Sequence, residues 1–151
     1  MTEYRERLSP APWVFVATAI VIPASLLVLA PVSLIAGALT AVILYGAIVL
    51  ALVATAPVIE VSDGVLTAGN ASIPLRFTGD PTGYEDDDEA FAERGPRLDA
   101  RAWMLLRGWI HPVVKIPITD PEDPVPYWLV STRRPKELVA AISGSQRPSG
   151  V

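Results

Sequence analysis

Apolar and polar residues are sharply segregated along this chain. From Leu8 to Ile59, 52 consecutive residues include no Asp, Glu, Lys, Arg or His. One membrane crossing takes about 20 apolar residues, so this run predicts two crossings and a turn. The turn falls at Ala30-Pro31-Val32-Ser33, because Pro31 removes a helical N–H and clashes with the preceding turn. Helix one is expected from Pro12 to Ala30 and helix two from Val32 to Ala54. At about 1.5 Å per residue they measure about 28 Å and 35 Å, enough for a hydrocarbon core of about 30 Å. Pro23 is expected to kink helix one, and the carbonyl it frees needs a partner from helix two or a hydroxyl such as Thr18. Trp13 suits an interfacial anchor. Tyr45 falls mid-helix and is expected to lie between the helices, and Gly37 with Ala41 forms a small-xxx-small pair.

After Pro57 the pattern changes to short alternating stretches separated by turn residues. Val58–Ser62, the Asp63-Gly64 turn and Val65–Ala68 read as a hairpin. Gly69-Asn70 is a second turn, and Pro74 makes Ala71 to Phe77 an edge strand or an irregular one. The acidic stretch 84–93 reads as an exposed, partly mobile loop, since Glu85-Asp86-Asp87-Asp88-Glu89 has no apolar face to bury. Pro96 to Gly108 is ambiguous between helix and strand. Val113 to Ile118 and Pro126 to Thr132 read as strands, joined by a rigid turn at Asp120–Pro124. Pro135 to Ser143 reads as a helix with an apolar face of Leu138, Val139 and Ile142, stopped by Gly144.

The chain therefore divides into an N-terminal polar segment (1–11), a two-helix transmembrane hairpin (12–56), a β-rich domain (57–143) and a flexible tail (144–151). The fold class is α+β: a helical hairpin, then a small antiparallel β domain closed by a C-terminal helix. By element order this resembles a pleckstrin-homology-like barrel.

Charge sets the orientation. All 12 Lys and Arg lie before helix one or after helix two, and the positive-inside rule then puts both ends in the cytoplasm. Only Arg5, Arg7 and Arg76 are near the membrane. A cleaved secretory signal is the competing reading, but its apolar region is about 7–15 residues and this run is far longer. The net charge of −4 gives no basic excess for nucleic acid. With no Cys and one His, thiolate and multi-His metal sites are excluded. The acidic loop lacks the alternating ligands and distal Glu of an EF-hand. There is no P-loop, dinucleotide-binding glycine loop or HExxH. No metal, cofactor or catalytic residue is assigned.

Three stretches carry a family resemblance: Asp120-Pro-Glu-Asp-Pro-Val-Pro-Tyr-Trp-Leu-Val-Ser-Thr-Arg-Arg-Pro135, Tyr4–Leu8 ahead of Pro12-Trp13, and Asp99-Ala100-Arg101-Ala102. Over roughly residues 3 to 142 the chain resembles an uncharacterised actinobacterial family of small two-helix membrane proteins, a domain of unknown function. The resemblance implies a short polar start, two membrane helices and a compact domain, and it carries no activity. The 10 Arg against 2 Lys fit a GC-rich genome.

The candidate ligand- or partner-binding residues are Arg101, Arg107, Tyr127, Trp128, Arg133 and Arg134. Guanidinium forks bind carboxylates and phosphates bidentately, and the start of the Pro135 helix adds positive potential. The competing reading pairs these arginines with Asp99, Asp120, Asp123 and the acidic loop. Tyr127 and Trp128 are expected on opposite faces of a strand, one in the core and one at a membrane surface or partner. Ser131-Thr132 suits helix capping, and His111 reads as a structural or surface histidine rather than a general base. The functional expectation is a membrane-anchored, non-enzymatic adaptor or complex subunit with a protein partner. The alternative is a binding protein or enzyme for a phosphorylated or anionic-lipid ligand that uses the arginines.

Overall fold

The computed structural model describes residues 2–146 and divides into two compact units. One is the segment 9–56; the other joins the residues up to Leu8 with those from Pro57 onward. The polar start of the chain is therefore not a free segment. Thr2–Arg7 is a strand, β1. It pairs antiparallel with β2 (Val58–Ser62), aligning Arg5 with Glu60 and Glu6 with Ile59. The ladder ends where the Leu8 N–H donates to the Pro57 carbonyl at 2.9 Å. The whole apolar segment is thus an insertion between two neighbouring strands.

Two four-stranded sheets form the β unit. The first has the order β1-β2-β3-β4, with β3 at Val65–Ala68 and β4 at Ala71–Pro74. Its β2–β3 turn holds Asp63 and Gly64 at φ of 52° and 73°, the left-handed pair a two-residue hairpin requires. The second sheet has the order β5-β7-β8-β6: β5 Thr82–Tyr84, β6 Trp103–Leu105, β7 Val113–Pro117 and β8 Tyr127–Ser131.

Three expectations are corrected here. The strands make no closed barrel: among the described residues the sheets are joined by one isolated bridge, Thr78 with Ile118. The ambiguous stretch 96–108 holds β6, which runs parallel to β8, so the domain is not wholly antiparallel. The acidic stretch is no open loop either. It begins at the end of β5 and then forms a helix, α1 (Asp87–Arg94), whose N-cap Asp86 accepts from the Asp88 and Glu89 N–H groups. Stacked carboxylates suit the positive end of a helix, and Ala90 and Glu93 give it the buried face that the residues before it lack.

The main core lies between the sheets. Tyr4, Leu8, Ile59, Val61 and Leu66 of the first meet Val114, Ile116, Trp128 and Val130 of the second. The closing helix α2 (Pro135–Gln146) adds Leu138 and Ile142. It runs through Gly144, which does not stop it; the remaining tail, 147–151, lies outside the described residues. On the outer face of the second sheet, Ala90 of α1 covers Val113, Tyr127 and Leu129. With both faces covered, all five residues of β8 are buried. Tyr127 and Trp128 therefore both lie in cores, where one was expected to face outward.

The apolar unit holds three helical pieces: α3 Pro12–Thr18, α4 Val21–Leu29 and α5 Leu34–Ala54. The first helix is interrupted at Ala19–Ile20, the turn before Pro23, where a kink from that proline was expected. Pro23 sits in the first turn of α4, where its missing N–H costs little, and its ring excludes a continuous turn four residues upstream. The Phe15 carbonyl beside the break accepts from the Thr18 hydroxyl at 3.1 Å and the Tyr45 hydroxyl at 3.2 Å. The carbonyl that Pro23 leaves without its usual donor is that of Ala19, and it accepts the Ile22 N–H at 3.0 Å rather than a hydroxyl or a group from helix two. Gly37 and Ala41 are the buried residues of α5, and a Cβ on Gly37 would lie 3.4 Å from the Leu26 backbone.

Because Leu8 and Pro57 are hydrogen-bonded, residues 9–56 are replaceable by a short glycine-rich turn. That chain is expected to unfold cooperatively and give a dispersed amide NMR spectrum. A chain beginning at Pro57 loses the burial of Tyr4 and Leu8, a deficit of at least about 3 kcal/mol at 1.5–3 kcal/mol per core side chain, and is expected to show neither property.

Candidate functional site

The most elaborate polar cluster joins β1 to the corner between β8 and α2. Alternation along β1 turns Tyr4 and Glu6 inward, and both are buried. Glu6 Oε2 accepts from the Tyr4 hydroxyl at 2.6 Å and from the fully buried Thr132 hydroxyl at 2.5 Å. The two hydroxyl oxygens are 2.8 Å apart. Glu6 Oε1 accepts the Arg133 N–H at 3.1 Å and lies 3.8 Å from the Arg133 guanidinium. The Arg134 N–H donates to Thr132 Oγ1 at 3.0 Å, so Thr132 caps the approach to α2 as its residue type suggested. Arg134 also donates to the Arg5 carbonyl at 2.8 Å and lies over the Tyr4 ring at 4.8 Å.

A buried carboxylate is tolerable when its lone pairs are occupied and a cation is near, and Glu6 has both. The Tyr4 phenol is pushed up beyond its ordinary range, first by burial and then by its hydrogen bond to Glu6. Thr132 and Arg134 oppose that shift without cancelling it.

A second cluster pins α1 to the second sheet. The buried Glu93 carboxylate accepts from Lys115 Nζ at 3.0 Å and Arg97 Nη1 at 3.4 Å. Lys115 Nζ also lies 4.4 Å from the centre of the Tyr127 ring. Burial works against the Lys115 charge, but the hydrogen bond and charge of Glu93 outweigh it and hold the proton more tightly than in an ordinary lysine.

The candidate residues from the sequence are not gathered into one place. Arg133 and Arg134 share the Glu6 corner, and Arg134 also pairs with Glu137 at 2.8 Å. Arg101 precedes β6 and pairs with Asp99 at 3.1 Å, which draws the Asp99 carboxyl below the usual carboxylate range. Arg107 follows β6; its backbone N–H donates to the Ser131 hydroxyl and its guanidinium to the Leu106 carbonyl. Tyr127 is buried and its hydroxyl accepts the Asp99 N–H at 2.8 Å. Trp128 stacks on Trp103 with ring centres 4.3 Å apart. His111 lies at the surface, 3.3 Å from Asp87.

Glu6, Tyr4, Glu93 and Lys115 were not among the candidate site residues, although Tyr4 and Glu6 lie in a stretch that carried the family resemblance. A signal existed for the first two: Tyr4, Glu6 and Leu8 alternate at the period of a half-buried strand. Glu93 stands three residues after Ala90, on the same face of a short helix. Among the described residues there is no group of three or more His, Cys, Asp and Glu able to hold a metal ion. Beside α2 lies a groove of about 480 Å³, lined by Gly83, Glu85, Pro135, Lys136, Val139, Ala140 and Ser143. The Lys136–Glu85 ion pair, at 2.8 Å, forms part of its rim.

Glu6→Gln turns an amide N–H toward hydroxyls that already donate. It is expected to cost about 2–4 kcal/mol in urea unfolding. Arg101→Ala removes only an exposed pair and leaves the urea midpoint unchanged. The raised Tyr4 phenol predicts a pH effect of definite sign. The folded chain keeps this proton after the unfolded chain releases it, so the stabilisation is complete below about pH 10 and is lost as pH rises further. In urea midpoints measured across alkaline pH, Tyr4→Phe is expected to remove that part of the decline.

No curated protein and no solved structure matches this chain. A family described as a protein of unknown function, DUF3093, matches residues 3–142. That match spans both the apolar segment and the β unit, including the Glu6–Thr132 corner, and the chain belongs to this family.

Proposed function

We propose that this protein is a membrane-anchored, non-enzymatic adaptor or complex subunit. Residues 9–56 cross the bilayer twice, and the hairpin holds the small β domain at the cytoplasmic face, where it engages a protein partner. The observation that carries this reading is the insertion of two helices of spanning length, Pro12–Leu29 and Leu34–Ala54, between the paired strands β1 and β2. Only 6% and 11% of these spans is buried. Side chains such as Leu27, Val28, Ile35 and Val42 are more than 70% exposed. An apolar surface of that extent needs a cover other than water, and a bilayer supplies one.

The strand pairing supports an even number of crossings, since β1 and β2 form their ladder only on the same side. It also counts against a signal peptide cleaved after the first helix, because cleavage would take Tyr4 and Leu8 out of the core. The cytoplasmic assignment rests on the positive-inside rule: Arg5, Arg7 and Arg76 flank the segment, and the turn between the helices carries no Lys or Arg. The adaptor reading is favoured over an arginine ligand site because Arg101, Arg133 and Arg134 each have a carboxylate partner.

The full chain is expected to stay in the membrane pellet through alkaline carbonate extraction, while the chain lacking 9–56 moves to the supernatant. Tags at the two ends are expected to be accessible from the same, cytoplasmic side; opposite sides would overturn the hairpin. Affinity purification from native membranes in mild detergent, with mass spectrometry of proteins and lipids, is expected to return a specific protein partner. Enrichment of an anionic lipid or phosphometabolite instead, lost in Arg133→Ala/Arg134→Ala, would establish the arginine-site alternative.

A further inference from the structure

We draw no further inference here: the strongest candidate, the groove between the outer strand β5 and the exposed side of α2 lined by Gly83, Val139 and Ala140, is an unpartnered apolar face, and nothing in the structure shows what covers it.

Discussion

The pairing of β1 with β2 is the constraint on which the rest of this structure depends. One strand precedes the apolar segment and the other follows it, and the Leu8–Pro57 hydrogen bond closes the ladder at the point of departure. Closing a long intervening segment costs loop entropy, though that cost grows slowly with length. The return is the burial of Tyr4 and Leu8 and an edge for β2 that is not left open. The helices between the strands also favour closure: Ser33 caps α5, and the small Gly37 lets it approach α4 closely.

Glu6 makes that pairing specific. A strand reading Tyr-Arg-Glu-Arg-Leu has weak apolar instructions, and a slip of one residue would turn Arg5 and Arg7 inward. In such a slip the Glu6 carboxylate would also lose the Tyr4 and Thr132 hydroxyls and the Arg133 N–H that its oxygens face. Buried polar groups add little net stability but penalise alternatives heavily. The same contacts tie the first strand to the start of the last helix across most of the chain, so the β unit is completed from both ends. The Glu93–Lys115 pair does comparable work for α1 on the opposite face.

The match over residues 3–142 spans the apolar helices and the β unit alike. Three of the four candidate arginines have carboxylate partners, Arg101 with Asp99, Arg133 with Glu6 and Arg134 with Glu137, and the two aromatic residues of the Tyr-Trp-Leu-Val-Ser run serve two cores. This motif looks distinctive because it is a strand buried on both faces, followed by a helix start that receives Glu6.

Much was legible in the sequence. The 52-residue uncharged run, the breaks at Pro31 and Pro57, the Asp63-Gly64 hairpin, strands β7 and β8 and the closing helix were all readable from local pattern and turn chemistry, because period and backbone restriction act over a few residues. What local pattern could not settle was which segments meet. A short charged stretch becomes β1 only because β2 returns beside it, and an acidic run becomes α1 only because the second sheet offers Val113, Tyr127 and Leu129 to cover. The same cover makes Tyr127 and Trp128 both internal. Glu6 stands in a core rather than in solvent because of donors at Thr132 and Arg133, more than a hundred residues away. That decision belongs to the tertiary structure, because hydrogen-bond partners and burial are properties of the folded chain.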